Sequence, residues 1–164
     1  MGTQVKLVSS DKKEFIVDAK IAKMSGTVNQ LLEVMDEDAI GANPIPLQNV
    51  TGEVLKRVLE WCEKHKDDPV EEKKEYDGRP IDLTIPDWDK KFLDITATKQ
   101  KPLFDLMKAS NYLDIPGLFL NVSKVLASIL NGKTADEIRD FFHIVNDITE
   151  AEAEAIRQEQ RWCP

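Results

Sequence analysis

The sequence predicts an α+β fold, on three observations. Apolar side chains recur at every second position in two short runs, Val5/Leu7 and Phe15/Val17, which is the period of a strand. From Ser25 onward most apolar residues recur three and four apart, which is the period of a helix. The 164 residues are 41% hydrophobic and 32% charged, the composition of a globular chain with a highly charged surface.

Val5 and Leu7 share one face with Phe15 and Val17, and Ser9-Ser10-Asp11-Lys12-Lys13 interrupts the two runs. This predicts a β-hairpin with one buried face. Asp18 is placed to cap a short helix containing Ile21, and Ser25 a second one carrying Val28, Leu31, Leu32 and Met35. Residues 36–43 form an acidic loop. Pro44-Ile45-Pro46-Leu47 is at most a very short strand, and its two prolines confine it to a sheet edge. Thr51 opens a helix of about four turns with Val54, Leu55, Val58, Leu59 and Cys62 on its apolar stripe. That helix fades near His65, a histidine expected to be solvated among lysines. Seven acids and four lysines between Glu63 and Gly78 predict a solvated, mobile loop over 67–84.

Beyond the loop the pattern is helical. Ile85-Pro86-Asp87-Trp88 starts one helix, with Phe92 a turn after Trp88. Pro102 suits the first turn of the next, which carries Leu103, Phe104, Met107 and Leu113 and should end at the Ile115-Pro116 step. Leu118, Val122, Val125, Leu126 and Ile129 mark a helix from Gly117 to Leu130, stopped by Gly132. Thr134-Ala-Asp-Glu137 and Thr149-Glu-Ala-Glu152 are capping boxes, so two more helices begin there, the last running to about Arg161.

Thirty acids against 22 bases give a net charge of −8, a field that repels nucleic acid and anionic membranes. No apolar run approaches the ~18 residues that span a bilayer. Two cysteines, Cys62 and Cys163, make no disulfide framework; reduced thiols and the lack of a targeting segment point to cytoplasm and nucleus. No enzyme, cofactor or metal signature is present. There are two histidines, no nucleophile elbow, no phosphate-binding glycine loop and no HExxH.

The informative stretch is the last third. Ile138, Phe141, Phe142, Ile144, Val145, Ile148, Ile156 and Trp162 lie among eight acids and four bases between Lys133 and Arg161. A final helix with only Ala151, Ala153, Ala155 and Ile156 as apolar members cannot hold itself on a body by its own burial. Two readings stand: a frayed tail, or an apolar surface that orders against a partner.

Several segments carry a family resemblance: Ser9-Ser10-Asp11, Pro46-Leu47-Gln48-Asn49-Val50, Trp61-Cys62 with His65-Lys66-Asp67-Asp68-Pro69, Ile85-Pro86-Asp87-Trp88-Asp89, Ala109-Ser110-Asn111-Tyr112-Leu113-Asp114-Ile115, Gly132-Lys133-Thr134, Glu137-Ile138-Arg139 and Trp162-Cys163. In this order the chain resembles the S-phase kinase-associated protein 1 family, the adaptors of SCF-type ubiquitin ligases. The resemblance implies a BTB/POZ domain over residues 1–130 and a two-helix extension over 131–164. It implies a non-catalytic adaptor that bridges a cullin to F-box receptors. The family's cullin-contacting pair falls on Asn111 and Tyr112. Its F-box groove maps to Phe104, Met107, Ile138, Phe142, Ile144, Ile148, Ile156 and Trp162. Where relatives are apolar this chain has Lys108, whose ammonium should reach solvent or an acid. Phe141 and Val145 make the extension more apolar than is usual for the family. The alternative is a self-associating POZ scaffold, a homodimer that hides the same surface when no F-box protein is bound.

Overall fold

The computed structural model describes residues 4–35, 43–68, 83–97 and 100–160. The chain divides into two compact units, residues 1–129 and 130–164.

The first unit begins with the hairpin. β1 (Gln4–Ser9) pairs antiparallel with β2 (Glu14–Asp18) in the register Val5↔Val17 and Leu7↔Phe15. This puts the four residues on one face, with Val5 and Leu7 fully buried, while Ile16 on the opposite face is 64% exposed. The turn places Lys12 at φ 62°, with its N–H donating to the Ser9 carbonyl. β3 (Ile45–Leu47) joins the other side of β1 in parallel, so the sheet order is β2-β1-β3 and Pro46 lies on an edge strand.

Between the strands run α1 (Ala19–Ala22) and α2 (Gly26–Val34), capped by the Asp18 and Ser25 side chains. The helix α3 (Gly52–His65) packs on β1 and α5 and buries Leu55, Val58, Trp61 and Cys62. Thr51 has cap geometry but makes no side-chain cap bond. The carboxylate that does the capping comes from the hairpin turn: the Gly52 N–H donates to Asp11 Oδ1 at 2.7 Å. The Ser9 hydroxyl, Lys13 and that N–H together hold the Asp11 carboxyl well below the usual carboxylate range. The Ser9-Ser10-Asp11 turn therefore ties the sheet to the start of α3.

α4 (Asp87–Ala97), α5 (Gln100–Tyr112) and α6 (Pro116–Leu130) complete the helical layer. Leu93, Leu103, Leu106, Leu113, Leu118 and Val122 are fully buried in one core with Leu7, Leu47 and Leu55. α5 ends three residues before the expected Ile115-Pro116 step. Asp114 takes a left-handed φ of 52°, the Ile115 N–H reaches back to the Ser110 carbonyl and the Asp114 N–H to that of Asn111. That is a Schellman closure with aspartate in the place usually held by glycine. Pro116 then becomes the first residue of α6.

The second unit contains α7 (Ala135–Phe142) and α8 (Glu150–Glu159). Gly132, at φ 78°, ends the preceding helical run, a conformation a side chain would strain. Both expected capping boxes are present: the Glu137 and Glu152 N–H groups donate to the Thr134 and Thr149 hydroxyls, and each glutamate accepts in return from its threonine's N–H.

Candidate functional site

Asn111 and Tyr112 occupy the last turn of α5, Asn111 exposed and Tyr112 half-buried. What fixes them is a head-to-tail junction with α2. The final carbonyls of a helix have no partner within it, nor do the first N–H groups. Here the two sets satisfy each other: Gly26 N–H donates to the Asp114 carbonyl at 3.0 Å and Thr27 N–H to that of Leu113 at 3.3 Å. The Ser25 hydroxyl adds a bond to the Leu113 carbonyl, and the Thr27 hydroxyl one to the Tyr112 carbonyl at 2.8 Å. The approach is so close that a Cβ at Gly26 would lie 2.5 Å from an Asp114 carboxylate oxygen.

On the other side of α5, α4 is locked to α3 by a network that sequence reasoning missed. Asp89 is fully buried and accepts from the Trp61 indole N–H at 2.6 Å. The same oxygen lies 3.1 Å from His65 Nε2, and His65 Nδ1 faces Asp68 Oδ2. His65 stacks on Trp61 with ring centroids 4.2 Å apart and meets the edge of Trp88, which stacks on Phe92. The Arg57 guanidinium lies 4.6 Å from the centroid of Phe92 and donates to its carbonyl. Among the described residues, Arg57 Nε and Asp89 Oδ2 are buried without hydrogen-bond partners. The expectation of a solvated His65 is thus corrected: its side chain is only 14% exposed, because α4 folds over the end of α3. Two local signals were available, the Trp61/His65 four-residue spacing and Asp68 three residues on. Asp89, 24 residues away, was not among them.

Phe104 and Met107 lie one turn apart on α5, both half-buried, with Met107 packed against the core. Lys108, next to Met107, is exposed, so its ammonium reaches solvent as expected.

In the second unit, Ile138 and Phe142 are four residues apart on α7 and half-buried. Phe141 meets Phe142 edge-to-face at 5.0 Å. His143 closes α7 in a left-handed conformation (φ 54°), with its N–H to the Asp140 carbonyl and the Ile144 N–H to that of Arg139. The turn delivers an exposed apolar run: Ile144 is 55%, Val145 81%, Ile148 39% and Ile156, on α8, 42% exposed. No residue of α7 or α8 is fully buried. Trp162 and Cys163 lie outside the described residues, as does 69–82 of the 67–84 loop.

Among the described residues no group of three or more His, Cys, Asp or Glu could hold a metal ion, and no helix is long and apolar enough to cross a membrane. Cys62 is buried in the core, and that burial pushes its thiol up to about 12, disfavouring the thiolate.

Residues 3–67 match the profile described as "Skp1 family, tetramerisation domain", and residues 116–163 that described as "Skp1 family, dimerisation domain". A Skp1-related protein of Caenorhabditis elegans is 41% identical over 163 residues, which cover 98% of this chain and 91% of the relative. Suppressor of kinetochore protein 1 of Schizosaccharomyces pombe is 43% identical over 163 residues, 98% of each chain. The E3 ubiquitin ligase complex SCF subunit sconC of Talaromyces stipitatus is 40% identical over 163 residues, 99% of this chain and 98% of the relative. With relatives matched end to end and both profiles in chain order, this α+β POZ protein belongs to the Skp1 family.

Proposed function

We propose that the chain is the adaptor subunit of an SCF-type E3 ubiquitin ligase, a non-catalytic bridge between a cullin and an F-box substrate receptor. The observation that carries this is the exposed apolar run Ile144, Val145 and Ile148 in the turn between two well-capped helices, with Ile156 on the second; neither helix buries a side chain fully. Such helices gain their apolar burial from a partner. Ile138 and Phe142 of the second unit, and separately Phe104 and Met107 of the first, are further receptor-contacting residues, with Trp162 as the C-terminal anchor. Asn111 and Tyr112, held by the α2–α5 junction, take the cullin. The mechanism is placement. Tethering a receptor at a fixed distance from the ligase's catalytic end raises the effective concentration of substrate lysines there. The working compartments are cytoplasm and nucleus.

The test is co-expression with an F-box fragment, followed by size-exclusion chromatography with light scattering. A one-to-one complex lost in Ile144→Asp/Ile148→Asp and kept in Asn111→Ala/Tyr112→Ala supports the assignment of faces. An F-box fragment that leaves the mass unchanged refutes it. The same exposed run also favours a second reading, a homodimer through the second unit. A dimer abolished by the same isoleucine substitutions, with no receptor complex, would establish that reading instead.

A further inference from the structure

Resting on the receptor reading, we infer that the second unit accepts a particular chemistry: a segment whose apolar anchors are flanked by lysine and arginine. Residues 131–160 hold eight acids and three bases, so this stretch carries −5 of the chain's −8. Two of the three bases are already engaged. Arg139 pairs with Asp136 at 2.7 Å, and Arg157 with Glu154 at 3.0 Å and Glu150 at 3.3 Å. Among the described residues no base pairs with Asp140, Asp147 or Glu159.

These acids border the exposed apolar run. Asp140 precedes Phe141 and Phe142. Asp147 lies between Val145 and Ile148. Glu152 and Glu159 stand four residues before and three after Ile156, on its side of α8. The capping box keeps Glu152 ionised: hydrogen bonds from the Thr149 hydroxyl and N–H lower its pKa. An occupant that buries these isoleucines must bring its own edges against this acidic border. Basic edges are attracted and steered in; acidic ones are repelled. A second copy of this chain would set acid against acid, so salt should weaken receptor binding and strengthen self-association.

The experiment uses the full chain and an F-box fragment in two forms, one with its flanking lysines and arginines and one with them replaced by glutamine. Stopped-flow association is measured from about 30 to about 300 mM NaCl, a range over which the screening length falls about threefold. The expected result is an association rate for the basic form that falls at least about tenfold across the range, with a much flatter dependence for the glutamine form. Asp140→Lys/Asp147→Lys, at two exposed positions, should slow association of the basic form several-fold at low salt and leave dissociation nearly unchanged. Equal salt dependence for the two forms overturns the inference while the receptor reading stands. No complex with either form at any salt overturns both. Self-association that rises with salt in place of receptor binding assigns the surface to a second copy.

Discussion

Asp89→Ala should be among the more damaging single changes in the first unit, and its size can be worked from the contacts. The carboxylate accepts from the Trp61 indole N–H at 2.6 Å, with Trp61 only 5% exposed. A hydrogen bond to a charged group contributes about 1.5–3 kcal/mol, and a buried donor left without an acceptor costs about 1–3 kcal/mol. An opposing term exists. Among the described residues Asp89 Oδ2 is buried with no partner, so removing the carboxylate also removes an unfavourable desolvation. The single variant mixes the two effects, and a double-mutant cycle with Trp61→Phe separates them. We expect about 2–3 kcal/mol of destabilisation for Asp89→Ala and a coupling near 2 kcal/mol. The assay is urea unfolding followed by far-UV circular dichroism, since one variant removes a tryptophan. Hydrogen exchange should show α4 amides opening first, because α4 loses its buried carboxylate tie to α3 and is left with the Arg57–Phe92 and His65–Trp88 contacts. A coupling below about 0.5 kcal/mol would refute the reasoning and leave the indole–carboxylate contact as mere proximity.

Three further outcomes are expected. Cys62 should resist alkylation in the folded protein and react only on global unfolding, so its labelling rate in rising urea should track the dichroism signal; reaction at native rates would show an open core. Asp11 has a lower pKa folded than unfolded, so its contribution is complete above ~4 and lost as pH falls below that value; the stability gap between the wild type and Asp11→Asn should shrink steadily as unfolding is measured below pH ~4, and a pH-independent gap would remove the charge from the explanation. Thr149→Ala should cost about 1 kcal/mol of local stability, read as faster hydrogen exchange in α8 with α2–α6 unaffected.

Where residues speak to near neighbours, the sequence was legible. The hairpin follows from the alternation of Val5, Leu7, Phe15 and Val17, and both capping boxes from a threonine and a glutamate three residues apart. Long-range partners were hidden. Asp11 caps α3 from 41 residues away, which demoted Thr51 to backbone geometry alone. His65 reads as a solvated helix end until Asp89 arrives from α4. The early end of α5 turns on a left-handed Asp114, a residue that carries no stop signal comparable to glycine. Of the residues the resemblance marked for the receptor, Ile144, Ile148 and Ile156 are exposed, while Phe104, Met107, Ile138 and Phe142 are half-buried.

The head-to-tail meeting of α2 and α5 has a thermodynamic consequence. Four hydrogen bonds hold the backbone just beyond Asn111, so a protein docking there meets a surface whose shape is already set and has little conformational entropy left to lose. The α7–α8 unit is the opposite case: its apolar side chains face water, and covering them removes hydrated area. Titration calorimetry of the two proposed interfaces should therefore give different temperature slopes of the binding enthalpy. The slope should be shallow at the Asn111 face and steeply negative at the Ile144–Ile156 face, as burial of water-exposed hydrocarbon requires. One small protein would then present a rigid socket and a heat-capacity-dominated clasp, and warming or cooling would shift the balance of affinity between them.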